Sequence, residues 1–380
     1  MSAAQGFEFT LLHTDAHSAA RRGRIQTAHG TIETPVFMPV GTQGTVKSLS
    51  PDELRDTGSQ IILGNTYHLY LRPGTALLQQ AGGLHRFANW PGPILTDSGG
   101  YQVFSLSGLR KIHEDGVRFQ SHIDGSYHDF TPENVMEMQR LIGADIIMAF
   151  DECPPHTATE PYVARSNEIT RKWAHRCREA WLAKEPAYGY GQALFGIVQG
   201  GVFPHLRRES AHQLIELDLP GYAIGGLSVG EPAPVMYEMT GVVTGILPAD
   251  KPRYLMGVGK PENMVEAVAL GVDMFDCVIP TRNGRRGQAF TWQGTINLRN
   301  ARFRDDFSPI DADCPCYACA NFSRAYIRHL LQAGELFALR LVSLHNIAFF
   351  HQLMQAMREA IEQDRFAQWK RDFYAGLEQK

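Results

Sequence analysis

Several things are scarce in this 380-residue sequence, and each shortage narrows its class. No run approaches the roughly 20 apolar residues that span a membrane. The opening MSAAQGFEFTLL lacks the basic head and long apolar core of a secretory leader, so a cytoplasmic protein is expected. Cysteines number only 6, and in that compartment they are not expected to pair as disulfides. Positive charge is not in excess: the net charge is -4 at neutral pH, so a polyanionic partner would have to be met by local patches. The Gly-rich phosphate fingerprint of a dinucleotide fold is missing after the first apolar run. Low-complexity linkers are also missing.

What is present describes a globular protein. Hydrophobic residues make up 44% and charged residues 20%, and the length suits a barrel-sized domain with an appendage. Eight short apolar runs lie at residues 35–40, 61–63, 94–95, 146–150, 194–198, 222–224, 254–256 and 274–279. Helix-like text separates many of them, at 52–57, 132–142, 162–183, 204–216, 234–245 and 262–270, and several of these segments open with proline or an acid. Strand–helix alternation repeated in this way predicts an α/β fold, a (β/α)8 TIM barrel; an open doubly wound sheet is the alternative. The barrel is assigned to residues 36–300. Residues 1–35 read as an N-terminal antiparallel β cap with a turn at His29-Gly30. Residues 98–130 read as an insertion holding a hairpin about Asp124-Gly125, and 301–380 as a C-terminal helical zinc-binding subdomain in which 346–358 is an amphipathic helix.

The most informative stretch runs from Val272 to Gly287. Asp276 interrupts its apolar strand, and a carboxylate there must be desolvated, which costs several kcal/mol unless it is paired or used. Pro280 then ends the strand, and Arg282, Arg285 and Arg286 follow in what reads as a thin loop among glycines. On this segment alone, a salt-bridged loop competes with covalent or acid/base chemistry beside an anion-binding loop. The strand count shifts the balance. In such barrels the chemistry gathers at the carboxyl ends of the strands, and those ends carry Asn65, Asp97, Asp151, Gln199, Gly225-Gly226, Met256 and Asp276. A single acid at a strand end is often a helix N-cap; three with a glutamine point to one pocket. Two acids near one anomeric carbon suit retaining glycosyl transfer. A further acid with a primary amide suits a nucleobase edge, the carboxylate accepting from N–H groups and the amide nitrogen donating to a carbonyl.

Other basic groupings are Arg299, Arg302 and Arg304 near that stretch, Arg171 to Arg178, and Arg207-Arg208. The Arg171 to Arg178 set reads equally as a solvated helix face. Cys314, Cys316 and Cys319 form C-x-C-x-x-C, with His345 26 positions further on. Three thiolates and an imidazole would close a tetrahedral zinc site and leave no position for water, which makes it structural; His329 competes with His345 for the fourth place.

The strings FMPVGTQGTVK, ILGNTYHLYLRPG, PILTDSGGYQVFSL, MAFDEC, FGIVQGG, AIGGLSVGE, RYLMGVGKPE, DMFDCVIPTRNGRRGQAFT, NLRNARF, CPCYAC and SLHNIAF closely resemble the tRNA-guanine transglycosylases of bacterial type. The resemblance implies a TIM barrel with a zinc subdomain. It also implies exchange of guanine at the wobble position of U-G-U anticodons for 7-aminomethyl-7-deazaguanine in queuosine biosynthesis. By that resemblance Asp276 matches the nucleophile and Asp97 the general acid/base. Asp151 and Gln199 match the readers of the base, the Gly226 amide a donor, the Leu227 carbonyl an acceptor, and Tyr101 and Met256 the sandwich around the ring. Arg282, Arg285 and Arg286 match an RNA-contacting loop. Cys314, Cys316, Cys319 and His345 match the ligands of one structural zinc per chain, which favours His345 over His329. A homodimer binding one tRNA is implied as well, with Phe322, Tyr326 and His329 as an interface or as local packing. Rival readings are a metal-dependent barrel hydrolase, which would need His at the strand ends, and a non-catalytic RNA-binding homologue, which would have lost Asp97 or Asp276.

Overall fold

The computed structural model describes residues 4–106 and 110–378. Residues 1–3 of the expected cap, 107–109 of the expected insertion and 379–380 of the tail lie outside the described residues. Eight strands, Val36–Pro39, Ile62–Gly64, Ile94–Thr96, Ile146–Met148, Ala193–Val198, Gly221–Ile224, Arg253–Leu255 and Met274–Cys277, form one parallel sheet and coincide with the eight apolar runs. The eighth strand pairs with the first, Asp276 opposite Met38, and a parallel bridge between Val40 and Leu63 joins the first to the second. The sheet is therefore nearly closed into a barrel with flanking helices.

Side chains alternate across a strand, and that parity positions the site. Met38, Leu63, Leu95, Ile197, Tyr254 and Met274 belong to the interior cluster, whereas Phe37, Ile62, Ile94, Val198, Leu255 and Phe275 pack outward on the helices. Two residues beyond Leu63, Leu95, Ile197, Tyr254 and Met274 come Asn65, Asp97, Gln199, Met256 and Asp276, on the inward side at the carboxyl mouth.

The opposite end is sealed. Strands Glu8–Thr14, Arg21–Thr27 and Gly30–Thr34 form the antiparallel cap. Its Ile25 and Ile32 are fully buried in the barrel's interior cluster, and each contributes about 1.5–3 kcal/mol by leaving water. Arg21 donates through Nε to Asp273 Oδ1 at 2.9 Å, and the same carboxylate accepts from the Arg253 backbone N–H at 2.7 Å. This buried pair ties the cap to the start of the eighth strand.

The expected helices appear as Pro51–Asp56, Pro132–Ile142, Glu160–Leu182, Pro204–Ile215, Ala233–Thr244 and Pro261–Ala269. Three short helices between the second and third strands, Thr66–Leu71, Thr75–Gln80 and Leu84–Ala88, were not expected. Pro73 and Gly82-Gly83 cut that text into pieces too short to show a helical period. The insertion holds the expected hairpin, Gly116–Gln120 with Tyr127–Phe130, extended by an outer strand Arg110–His113.

Two expectations about the carboxyl third are corrected. The eighth strand ends at Cys277, and the arginine segment is not a thin loop: it begins as a short helix, Ile279–Gly284. Residues 346–358 are helical as expected but amphipathic only over 351–358; they lie inside the 27-residue helix Leu336–Glu362, and residues 341–350 of that helix are buried on every side. The two helices touch where glycine allows it: a Cβ on Gly284 would stand 2.7 Å from Ser343 Cα. Asn346 reinforces the contact, donating to the Pro280 and Gln288 carbonyls at 2.9 Å each and accepting from Phe290 N–H at 3.0 Å. Gly284→Ala should therefore force the helices apart and cost about 1–3 kcal/mol, read as a lower urea midpoint with an unchanged slope.

Candidate active site and metal cluster

The inward acids are held by hydrogen bonds rather than by cations. Asp97 accepts from Asn65 Nδ2 at 2.5 Å and from the Thr66 N–H at 2.8 Å. Asp151 accepts from Gln199 Nε2 at 2.7 Å and from Ser98 Oγ at 3.1 Å. Asp276 is half-buried and accepts from Tyr254 OH at 2.6 Å and the Gly257 N–H at 2.8 Å, both at Oδ1. Among the described residues none of the three forms an ion pair, so the salt-bridged reading of Asp276 does not hold. Burial pushes the Asp97 carboxyl up to about 6, helped by the charge on Asp276 and opposed by Asn65, Thr66 and Gln102. Burial also pushes Asp151 up to about 6, against its bonds to Gln199 and Ser98, with Glu152 adding repulsion. Asp276 is raised by burial and lowered by Tyr254 and Gly257, with a net rise.

The floor beside Gln199 is glycine by necessity. A Cβ on Gly225 would stand 2.7 Å from Gln199 Nε2, and one on Gly226 2.3 Å from Gln199 Oε1; Gly226 also has φ +64°. Gln199 Oε1 is buried without a hydrogen-bond partner. Leu227 is buried behind this floor, Met256 is half-buried, and Tyr101 stands 54% exposed on the short helix Gly100–Leu106.

Arg207 does not belong to a surface patch with Arg208. It is fully buried, and its guanidinium donates to the carbonyls of Gly201 (2.9 Å), Val198 (3.1 Å), Gly225 (2.7 Å) and Gly226 (3.3 Å). It thereby pins the ends of the fifth and sixth strands, which carry Gln199 and Gly226. The signal was in the text: Arg207 shares a helical face with Ser210, Ala211 and Leu214. Tyr254 was also missed as a partner of Asp276, because it sits in an apolar strand and reads as packing. The Arg171 to Arg178 set is a paired helix face, with Arg171 on Glu168, Lys172 on Glu114 and Arg176 on Glu133.

Arg282 and Arg286 are exposed and Arg285 is half-buried, and none of the three pairs with a carboxylate among the described residues. Arg299 lies beside them, donating to the Arg286 carbonyl at 3.3 Å. The three like charges sit close enough that Arg282 and Arg286, together with burial, lower the Arg285 guanidinium.

Cys314, Cys316, Cys319 and His345 are all buried, and their ligand atoms lie within 4.8 Å of one another. His345 Nε2 donates to the Phe290 carbonyl at 2.7 Å, which leaves Nδ1 facing Cys319 Sγ at 3.2 Å and Cys316 Sγ at 3.8 Å. A fixed ring with its lone pair aimed at three sulfurs fits a metal ion. His329 is exposed and outside the cluster. Nearby, Phe322 is packed between Tyr317 and Phe337, while Tyr326 is 41% exposed. Among the described residues no helix is long and apolar enough to cross a membrane.

A family model described as queuine tRNA-ribosyltransferase matches residues 15–379. A queuine tRNA-ribosyltransferase of Caldanaerobacter subterraneus subsp. tengcongensis is 58% identical over 366 residues, 96% of each chain. One of Thermoanaerobacter sp. is 56% identical over 367 residues, covering 97% of this chain and 96% of the relative. One of Solidesulfovibrio magneticus is 58% identical over 367 residues, 97% of each.

The raised carboxyls set a pH dependence. A folded value of about 6 lies above the ordinary 3.8, so the folded chain holds those protons more tightly than the unfolded chain. The stabilisation is complete below the ordinary value and is lost as pH rises through about 6. Asp97→Asn and Asp151→Asn should therefore gain on the wild type between about pH 4 and pH 6 and keep the advantage above it, by up to about 3 kcal/mol per site in urea unfolding.

Proposed function

The chain belongs to the queuine tRNA-ribosyltransferase family, and on that premise we propose that it is a tRNA-guanine transglycosylase working in queuosine synthesis through a covalent Asp276–ribose intermediate. The observation that carries the mechanism is the state of Asp276. It is an inward carboxylate with no cation beside it. Both of its hydrogen bonds go to Oδ1, so among the described residues Oδ2 is left free. The finer substrate assignment is guanine at the wobble position of U-G-U anticodons, replaced by 7-aminomethyl-7-deazaguanine. It rests on the resemblance of the motifs.

In this reading the target nucleotide is flipped from the anticodon loop, where stacking is weakest. An Asp276 oxygen bonds to ribose C1′ as the C1′–N9 bond breaks and its electron pair moves onto the purine. Asp97, whose pKa burial raises to about 6, gives the departing base its proton and takes one back from the incoming base as that base displaces Asp276. Asp151 accepts from the N–H edge of the base, Gln199 and the Gly226 N–H donate to its carbonyl, and the Leu227 carbonyl accepts from the aminomethyl group. Tyr101 and Met256 cover the two ring faces. Arg282, Arg285 and Arg286 meet the RNA backbone; their lack of carboxylate partners leaves them free to neutralise phosphates. No redox cofactor is required, because the ester conserves the glycosidic bond energy. The Cys3His cluster is assigned to one structural Zn2+, whose four protein donors leave no open position. We assign the protein to the cytoplasm, as a homodimer.

Trapping tests the chemistry. Wild type mixed with an anticodon stem-loop RNA and a non-displaceable guanine analogue should give a shifted band on a denaturing gel, and Asp276→Ala should give none. The absence of a band for the wild type would refute the covalent route, and a band that survives Asp276→Ala would move the nucleophile elsewhere. For the metal, elemental analysis should find zinc in the wild type and its loss in Cys316→Ser. That variant should keep a residual fold, with a melting midpoint lowered by roughly 10 °C.

A further inference from the structure

A second group of ligating side chains lies at the sealed end of the barrel, away from the acids of the mouth. His29 is in the turn between two cap strands, His85 is on the short helix Leu84–Ala88, and Asp145 immediately precedes the fourth barrel strand. Their ligand atoms lie within 4.8 Å of one another, with His29 Nδ1 2.7 Å from Asp145 Oδ1 and His85 Nε2 3.2 Å from Asp145 Oδ2.

The hydrogens decide what this group can do. His85 Nδ1 faces the Trp90 carbonyl at 3.3 Å. A carbonyl only accepts, so Nδ1 carries the proton and the neutral ring has its lone pair at Nε2. That lone pair faces a carboxylate oxygen, another acceptor. Among the described residues Nε2 makes no hydrogen bond, although His85 is only 8% exposed. Two buried acceptors face to face are unfavourable unless a proton or a cation stands between them. A second proton would make His85 an imidazolium stacked on the His29 ring, with centroids 3.6 Å apart and planes 19° off parallel, while His29 already gives its own proton to Asp145. A cation avoids both costs once His29 carries its proton on Nε2, so that its Nδ1 lone pair and that of His85 Nε2 both face the ion. Asp145 Oδ2 is anchored by the Ile94 N–H at 2.9 Å, and the Trp90 carbonyl orients the His85 ring as outer partners of metal-bound histidines do. The edge of Tyr190 covers one side at 4.5 Å, and His29, 22% exposed, leaves a way in from solvent.

We propose that His29, His85 and Asp145 bind a divalent cation of the borderline class, such as Zn2+, Co2+ or Ni2+, that bolts the cap to the barrel. Two imidazoles and a carboxylate suit such ions, and a solvent molecule would complete the coordination. Because the ion would bind only the folded chain, it would raise stability by mass action.

The test uses the full chain with its Cys3His cluster already loaded with zinc. Titration with Co2+ should give d–d absorption without a sulfur-to-cobalt charge-transfer band, and elemental analysis after desalting should find a second metal equivalent. His29→Ala, in a half-buried turn, and His85→Ala should each lose that equivalent while keeping the thiolate-bound zinc. Added Zn2+ should raise the melting midpoint of the wild type and leave both variants unmoved. Uptake of no further metal by the wild type overturns the proposal. So does a second equivalent that folded His29→Ala or His85→Ala binds as the wild type does.

Discussion

Three carboxylates, Asp97 and Asp151 buried and Asp276 half-buried, none with a basic side chain against it among the described residues, are the constraint on which the rest of the structure depends. Each costs several kcal/mol to desolvate if nothing compensates. Compensation comes from aimed dipoles: Asn65 and the Thr66 amide for Asp97, Gln199 and Ser98 for Asp151, Tyr254 and the Gly257 amide for Asp276. An arginine against them would hold the acids as ion pairs and lower their pKa values. The one buried guanidinium close by, Arg207, is turned away onto four carbonyls. It sets the loop geometry and leaves the carboxylates unpaired.

Keeping such a site requires rigidity around it. The cap removes water from the far end through Ile25, Ile32 and the Arg21–Asp273 pair. At the mouth, Gly225 and Gly226 let Gln199 lie flat against the backbone. Any side chain at either position would push the amide off Asp151.

The Cys3His cluster and the segment that follows Asp276 are connected through one long helix. His345 binds the Phe290 carbonyl, Asn346 binds Pro280, Gln288 and Phe290, and Ser343 meets Gly284. A metal that fixes His345 therefore also fixes the helix against which the arginine segment rests, a few residues past Asp276.

Strand–helix alternation and strand-end position are local properties of the chain, and they sufficed for the barrel, its eight strands and the placing of Asp97, Gln199 and Asp276 at one end of it. The C-x-C-x-x-C spacing likewise announced a metal cluster. What sequence could not decide depended on contacts across long separations. The helical period puts Arg207 on a buried face, but only its carbonyl partners at the ends of two other strands show what its charge does there. Tyr254 reads as core until Asp276 arrives 22 residues later. The helical, clamped state of the arginine segment is imposed by Ser343 and Asn346, some 60 residues downstream, and local text could not carry that information. The sequence by itself determined which residues line one face of the barrel, because alternation is written into neighbouring positions. Only the tertiary structure decided which of them are paired and which are left free, because burial and hydrogen bonding are properties of neighbours in space.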